Sequence, residues 1–451
     1  ALDAGPQKDR PYQSDFYRSV LMRSREGRGN RIVSTHLLLF CIPTSNVEER
    51  RMRCTIIIYL CNNISQFCTF FGLLCYLCHI YFLFTHFTYM KTLTIGDLKA
   101  RIPIIQGGMG VGISLSGLAS AVANEGGIGV ISAAGLGLLY KKLSPNYTEA
   151  GNLGLAAEIR KAREKAKGII GVNVMVALSD FAELVKTSIA EKVDIIFSGA
   201  GLPLDLPSFL KKDSVTKLVP IVSSARAVRI ICEKWKNNYD YLPDAVVLEG
   251  PKAGGHLGYK ENQLEDEHFS LEELLPQVVK EVSHFEEKYN KRIPVIAAGG
   301  IYTGEDIKRV MDLGASGVQL GTRFVTTTEC DASDAFKESY VKAQEKDIEI
   351  IKSPVGMPGR AIHSHFLEKV KAGMKQPKVC PFNCIKTCDI SRSPYCIVTA
   401  LYNAFKGNFE NGYAFAGSNA WRTTRIMSVK ETISELINEW KRSDQPTLSS
   451  R

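Results

Sequence analysis

Eight short runs rich in Val and Ile recur through the middle of this 451-residue chain, and most of them end at or beside Gly or Ser. They occupy residues 102–106, 127–132, 169–176, 194–199, 217–223, 244–250, 293–300 and 317–322. Runs that are apolar on both faces are typical of buried parallel strands. Stretches with helical spacing separate them, such as residues 154–168 and 179–193. The pattern predicts an α/β fold, a (β/α)8 TIM barrel, with a doubly wound sheet as the alternative; eight near-even repeats favour the barrel.

This repeat pattern divides the chain into four parts. Residues 1–89 form an atypical N-terminal extension, and residues 90–330 form the predicted barrel. Residues 331–430 are predicted to form a helical cap over the barrel mouth, in which a substrate segment lies. Residues 431–451 are predicted to be a C-terminal helix and tail.

The extension differs in composition from the rest of the chain. Residues 55–89 contain no Asp, Glu, Lys or Arg, and residues 67–89 are long enough to cross a bilayer as a helix. The same stretch has the composition of translated AT-rich non-coding DNA, and the chain begins with Ala1. The extension is therefore interpreted as non-native or, alternatively, as a membrane anchor. The expected location is cytoplasmic in the first case and membrane-anchored through residues 67–89 in the second.

The charge distribution argues against a nucleic-acid partner. The formal net charge is +9, but residues 1–89 already contain ten Lys or Arg against six Asp or Glu. The predicted barrel has no basic stripe with interleaved aromatic residues, the pattern expected of a nucleic-acid surface. The expected partner is instead a small-molecule substrate.

The carboxyl ends of the predicted strands carry the residues that point to chemistry, because TIM-barrel active sites lie at this face. Gly299 and Gly300 follow the seventh strand, and Gly321 and Thr322 follow the eighth. Glycine allows backbone N–H groups to approach a phosphate closely, and barrels commonly bind phosphate between these two loops. The spacing therefore predicts a phosphate site, although each loop alone could be a tight turn.

Five motifs, in this order and spacing, resemble the nitronate monooxygenase (2-nitropropane dioxygenase-like) family. They are "IPIIQGGMG", "GVNVM", "EGPKAGGHLG", "IAAGGI" and "VQLGTRF". Flavin-type enoyl-acyl-carrier-protein reductases share the pattern, and the resemblance covers residues 90–430. It implies an FMN-containing TIM barrel that acts as an oxidoreductase. The implied FMN contacts are Gln106, Gly107, Gly108, Met109, Asn173, Glu249, Gly254, Gly255, Gly299, Gly300, Gln319, Leu320, Gly321 and Thr322.

The resemblance implies that His256 is the catalytic residue. Histidine exchanges protons near neutral pH, so His256 could accept the α-proton of a nitroalkane or stabilise a bound nitronate. In a reductase it could support protonation of an enolate. The alternative is a histidine that caps a turn. Residues 412–422 resemble the family's C-terminal loop near the flavin, with a weaker match.

The activity that follows is FMN-dependent oxidation of alkyl nitronates, with O2, to carbonyl compounds and nitrite. Glu249 departs from this pattern, because nitronate-oxidising members often have Gln there whereas enoyl reductases have Glu. An NAD(P)H-dependent enoyl-acyl-carrier-protein reductase is therefore the alternative. A non-catalytic or membrane-tethered flavin protein is a third hypothesis. A barrel oxidoreductase that acts on purine nucleotides shares the phosphate loops, but its covalent mechanism requires a loop cysteine after the sixth strand, and this chain has none there.

Two further clusters raise the question of a metal. Cys380, Cys384, Cys388 and Cys396 lie close in sequence, but their spacing is not that of a standard zinc site. On one helix, the first three would share a face and could instead pack against the barrel. His363 and His365 have the spacing of ligands on one strand face. No metal is predicted at either cluster.

Overall fold

The computed structural model describes residues 40–41, 54–55 and 90–443. In the N-terminal unit, β1 (Phe40–Cys41) pairs antiparallel with β2 (Cys54–Thr55). The candidate membrane segment 67–89 lies outside the described residues. Within the part of the chain that is described, no helix is both long enough and apolar enough to span a bilayer.

The predicted barrel is confirmed: eight parallel strands close on one another, and each coincides with one of the predicted runs. They are β5 (Ile104–Gln106), β6 (Ile128–Ser132), β7 (Ile169–Met175), β8 (Ile195–Gly199), β9 (Lys217–Val222), β10 (Val246–Glu249), β12 (Val295–Ala298) and β13 (Gly317–Leu320). β13 pairs with β5 through Val318–Ile104, Gln319–Ile105 and Leu320–Gln106, which closes the barrel.

A short hairpin precedes the barrel and was not predicted. It consists of β3 (Leu93–Ile95) and β4 (Leu98–Ala100). Leu93 and Ile95 are each 1% exposed and belong to the same apolar cluster as the inward-facing barrel residues Ile105 and Val247. The hairpin therefore covers the amino-terminal end of the barrel and completes its interior.

Helices surround the strands and bury an apolar face against them. They are α1 (Ser116–Asn124), α2 (Leu136–Leu139), α3 (Tyr147–Lys165), α4 (Phe181–Ala190), α5 (Ala225–Tyr239), α6 (Leu271–Tyr289), α7 (Gly304–Asp312) and α8 (Thr322–Val325). Short 3₁₀ turns occur at Leu206–Phe209, Glu261–Gln263 and Glu267–Phe269. Sequence sets several of the helix starts: the Ser270 side chain caps α6, and Thr303 with Asp306 forms a capping box at α7.

The segment after the barrel contains helices α9 (Asp334–Lys342), α10 (His365–Lys371) and α11 (Ile397–Phe405). It also contains a hairpin that the sequence did not predict, β14 (Ile348–Lys352) and β15 (Pro358–Ile362). Two 3₁₀ turns, Glu345–Asp347 and Ala420–Arg422, lie in the same segment. α12 (Val429–Ser443) follows and is the last described helix.

The hairpin reaches back to the barrel. A two-residue strand, β11 (Gly255–His256), leaves the loop after β10 and pairs antiparallel with β15, so that the order of this small sheet is β11, β15, β14. The loop that contains His256 is thus part of a sheet and has a fixed backbone. This sheet joins the barrel mouth to the segment that follows the barrel.

Candidate flavin site

The loop after β5 packs between two amide side chains at the barrel mouth. A Cβ on Gly108 would lie 2.3 Å from Cβ of Asn173, and one on Gly107 would lie 3.3 Å from Cγ of Gln319. The Gly107 N–H donates to the carbonyl oxygen of Leu320 at 2.9 Å. Met109 lies next, with its sulfur 3.4 Å from the position a Cβ on Gly321 would take. The structure therefore brings together the predicted residues at the carboxyl ends of β5, β7 and β13.

Gln106 has a different role from the one expected of a ligand contact. Its side chain is fully buried and exchanges two hydrogen bonds with the backbone of Val130 on β6, at 3.0 and 3.2 Å. β5 and β6 share only one paired position, Ile105 with Ile128. The Gln106 amide thus extends the strand pairing, and its polar atoms are occupied by protein.

Three loops meet where the sequence predicts a phosphate. Gly299 and Gly300 have φ angles of +90° and +84°, which turn the chain sharply after β12. The segment Ala416–Asn419 lies against them: Asn419 Nδ2 donates to the Gly300 carbonyl oxygen at 2.7 Å. The Gly417 N–H donates to the Thr322 hydroxyl at 3.3 Å. The late Gly/Ser-rich loop therefore lies at the barrel mouth, beside both glycine loops.

Gly254 allows this loop to approach so closely. A Cβ at this position would lie 2.5 Å from the carbonyl carbon of Ala416 and 2.6 Å from the nitrogen of Gly417. Both are backbone atoms that no rotamer change can move. Any larger residue would therefore displace the Ala416–Asn419 segment.

Two buried polar atoms at this mouth have no hydrogen-bond partner among the described residues: Oε1 of Gln319 and Oγ of Ser418. Buried polar atoms are normally paired, so both atoms are available to a ligand. A serine hydroxyl can donate to a phosphate, whereas a glutamine oxygen can accept from a ring N–H. The glycine loops, the hydroxyl and the amide together fit a phosphate-bearing heterocycle such as FMN.

The loop that contains His256 is fastened by a buried arginine. Arg360 on β15 is 5% exposed, and its Nη1 donates to the carbonyl oxygens of Pro251 and Ala253 at 2.6 and 2.7 Å. Burial lowers the pKa of the guanidinium. These bonds fix the backbone just before β11 and so determine where the imidazole lies.

The His256 ring contacts both the hairpin and the late loop. Its Nε2 lies 2.7 Å from the Ser353 hydroxyl, and its ring meets Phe415 edge-on with centroids 5.0 Å apart. Burial lowers the pKa of His256 to about 4, because the cation loses its hydration. The imidazole is therefore neutral at physiological pH.

Glu249, at the end of β10, has the opposite perturbation. No hydrogen bond or ion pair of its carboxylate occurs among the described residues, and burial raises its pKa to about 7. Its backbone oxygen accepts a hydrogen bond from Tyr259 at 2.8 Å. The mouth thus holds an unpaired carboxyl group that is about half protonated at neutral pH.

The other predicted clusters have partners of their own. His363 bridges Glu349 and Glu368 at 3.1 Å each, and His365 contacts Glu368 at 2.9 Å. The cysteine segment 380–388 forms no helix, and burial raises the pKa of Cys384 to about 12. Within the described residues, no group of three or more His, Cys, Asp or Glu side chains is arranged to hold a metal ion.

Sequence reasoning missed four residues of the site: Arg360, Ser353, Phe415 and Ser418. Each is distant in sequence from the motifs and contributes through contacts that only the folded chain makes. "GYAFAGSNAWR" was identified as a loop near the flavin, but no individual residue in it was singled out. The sequence around Ser353 and around Arg360 contains no motif that would mark either residue as part of a site.

A family model described as "Nitronate monooxygenase" matches residues 91–439. The chain belongs to the nitronate monooxygenase family. The match covers the barrel, the hairpin and the late loop, which are the elements that build the site. Membership in this family makes the protein an oxidoreductase.

Curated relatives of this family member include enzymes with two different names. A (3aS,4S,5R,7aS)-5-hydroxy-7a-methyl-1-oxo-octahydro-1H-indene-4-carboxyl-CoA dehydrogenase of Mycobacterium tuberculosis is 29% identical over 60% of this chain and 66% of its own length. A homologue of the same name from Rhodococcus jostii is matched over 65% of its length. The chain thus spans just under two thirds of these two relatives. A probable nitronate monooxygenase of Staphylococcus saprophyticus is 27% identical over 62% of this chain and 81% of its own length.

Solved structures agree with the fold. FabK from Thermotoga maritima superimposes with a TM-score of 0.59 at 28% identity, covering 76% of this chain and 93% of its own. A nitroalkane oxidase from Streptomyces ansochromogenes superimposes with the same TM-score at 20% identity, covering 76% and 96%. The second likeness supports the fold alone.

Proposed function

We propose that this protein is an FMN-dependent nitronate monooxygenase, which oxidises alkyl nitronates to carbonyl compounds and nitrite with O2. The observation that carries the proposal is that His256 lies at the same barrel mouth as the three loops that meet at the predicted phosphate position. These loops contain Gly299 and Gly300, Gly321 and Thr322, and Ala416–Asn419. His256 lies on β11, only two residues after Gly254, which contacts the Ala416–Asn419 segment. The catalytic side chain and the cofactor cradle are therefore built from the same loop.

The residues that would hold FMN follow from the site. The backbone around Gly299, Gly300 and Gly321, with the Thr322 and Ser418 hydroxyls, would hold the phosphate. Gln319 and Asn173 would bind polar atoms of the ring system, and Met109 would pack against it. When bound, FMN supplies the electron-accepting chemistry that these side chains lack.

The protein's own groups suit an anionic substrate. The neutral His256 imidazole has one N–H, which it can donate to a nitronate oxygen. Glu249 would repel a nitronate only when ionised, and its raised pKa keeps about half of it protonated near pH 7. Phe415 and Ser353 of the hairpin contact the ring and cover part of it.

A second candidate is an NAD(P)H-dependent enoyl-acyl-carrier-protein reductase. Glu249 favours it, since the enoyl reductases of this pattern have Glu at that position. The likenesses to FabK and to a carboxyl-CoA dehydrogenase point in the same direction. The two candidates differ in the reductant that each uses.

The full chain loaded with FMN separates them. Under anaerobic conditions, ethylnitronate is expected to bleach the flavin absorbance within seconds, and admission of air should then release nitrite. NADH and NADPH should leave the colour unchanged. Rapid bleaching by a nicotinamide alone, with none by nitronate, would establish the reductase instead.

A pair of histidine variants tests the role of His256 in the same assay. His256→Gln is expected to lower kcat/KM for nitronate by about 100-fold, in the range found for acid–base and hydrogen-bonding side chains. His268→Gln is the matched control, because the His268 side chain is exposed and its ring hydrogen-bonds to Asp266. Equal activity of the two variants would remove His256 from the mechanism.

A further inference from the structure

The hydroxyl of Ser353 is the only described group that hydrogen-bonds to the His256 ring. It lies 2.7 Å from Nε2, at the end of β14, in the turn that joins the two strands of the hairpin. Ser353 is 3% exposed, so its hydroxyl has no free access to water. No described residue hydrogen-bonds to Nδ1, which leaves that nitrogen available to a ligand.

The surroundings of Ser353 fix the direction of this hydrogen bond. Its Oγ already accepts the Val355 N–H at 3.3 Å. The hydroxyl proton needs an acceptor, and among the described residues the acceptor that it contacts is Nε2 of His256. If Nε2 carried the proton instead, a buried hydroxyl proton would be left without a partner, which is unfavourable.

We infer that Ser353 is a positioning residue that holds neutral His256 as the Nδ1–H tautomer, so that the ring presents a hydrogen-bond donor, and not a base, to the substrate. With Nε2 engaged as an acceptor, the free nitrogen of the ring is a hydrogen-bond donor. A donor stabilises the oxygen of an anion but cannot take up an α-proton. This inference rests on the proposed function for its substrate, whereas the tautomer itself rests on the geometry alone.

The hairpin provides the stiffness that such positioning needs. β11, which contains His256, pairs with β15, and His256 itself is opposite Gly359. Ser353 is held within the same hairpin by Gly356, whose N–H donates to the Ser353 carbonyl oxygen at 3.0 Å. The Thr387 hydroxyl donates to the Val355 carbonyl oxygen at 3.2 Å and anchors the hairpin tip. The donor and the acceptor therefore belong to one sheet and keep their separation.

The first measurement is the tautomer, which requires no substrate. Long-range ¹H–¹⁵N correlation spectra of the FMN-loaded full chain with ¹⁵N-labelled histidine distinguish Nδ1–H from Nε2–H, and His256→Gln assigns the resonance. The wild type should show Nδ1–H. Ser353→Ala should shift the ring toward Nε2–H or a mixture of the two, and Ser353→Thr, which retains the hydroxyl, should restore Nδ1–H. An Nε2–H ring in the wild type, or identical spectra of wild type and Ser353→Ala, would overturn the inference.

The second measurement is substrate choice by the same variants. The wild type should oxidise ethylnitronate and leave nitroethane unreacted at a pH where nitroethane stays neutral. Ser353→Ala should lose about tenfold in kcat/KM for ethylnitronate, the size of one ordinary hydrogen bond, and Ser353→Thr should recover most of it. Rapid oxidation of neutral nitroethane by the wild type would refute the donor role. An Nδ1–H ring in a protein that oxidises no nitronate would support the positioning by Ser353 and refute the proposed function.

Discussion

Two ionisable side chains at the barrel mouth lie in surroundings that disfavour their charged forms. Burial lowers the pKa of His256 to about 4 and raises that of Glu249 to about 7. Paired shifts in opposite directions are a common feature of active sites, because such sites remove water from groups that must exchange protons or hydrogen bonds. At pH 7 the histidine is therefore neutral, and the glutamate divides between its two forms.

Glu249→Gln should stabilise the fold at alkaline pH more than at acid pH. An unfolded glutamate titrates near 4.5, so between that value and about 7 the folded state binds more protons than the unfolded state. The stability of the wild type therefore falls as pH rises through this window. The neutral amide avoids the loss, and the gain at pH 8 over pH 5 should be on the order of 2 kcal/mol. Urea unfolding at both pH values measures it.

Glu287→Gln provides the comparison for this experiment. Glu287 lies at an exposed position of α6, far from the mouth. Its replacement should have the same small effect at pH 5 and at pH 8. A Glu249→Gln variant that behaves in the same way would show that the carboxyl is well solvated in the folded protein.

At the scale of elements, the site depends on one small sheet and one buried cation. Arg360 joins β15 to the loop that precedes β11, and it does so through two backbone carbonyl oxygens. No described carboxylate pairs with this guanidinium. The residue therefore acts as a fixed double donor, and its contribution lies in the position of the loop that contains Gly254 and His256.

Arg360→Met should destabilise the protein and loosen the flavin site together. Two buried carbonyl oxygens lose their donor, and each hydrogen bond to a charged group contributes about 1.5 to 3 kcal/mol. The expected loss in urea unfolding is about 2 to 4 kcal/mol, accompanied by weaker retention of FMN in dialysis.

Arg292→Met is the control for this variant. Its side chain is 76% exposed and pairs with Glu286 at the surface, so the expected change is below about 0.5 kcal/mol. Equal stability of the two variants would mean that the β11 loop holds its position without Arg360.

The elements differ in how far sequence could predict them. The eight barrel strands were predictable because each is apolar on both faces, as Ile195–Gly199 illustrates with every residue buried. The hairpin β14–β15 was not, since Ile348–Lys352 is mostly half-buried and is stabilised mainly by its pairing with β15. Ser353 and Arg360 could not be predicted as site residues for a similar reason. Their partners are a ring nitrogen and two carbonyl oxygens that lie about a hundred residues away in the sequence.

At the scale of the whole molecule, the barrel mouth and the barrel floor are closed by different parts of the chain. The mouth is closed by the hairpin and the Ala416–Asn419 segment, which come after the barrel. The floor is closed by β3 and β4, which come just before it. Lys217 of β9 adds an ion pair to Asp97, in the turn between these two strands. Within the described residues, Leu93 and Ile95 therefore complete the apolar interior at the floor of the barrel.

Two truncations test where the folded barrel begins. A chain starting at Met90 retains the floor hairpin and should melt at the same temperature as the full chain, with FMN bound equally well. A chain starting at Ile102 lacks Leu93 and Ile95, each worth about 1.5 to 3 kcal/mol of burial, and should melt roughly 10 °C lower. Differential scanning calorimetry of the three proteins gives the comparison. A large loss of stability on removing residues 1–89 would show that the barrel relies on the extension, whereas a stable chain from Ile102 would show that the floor closes without the hairpin.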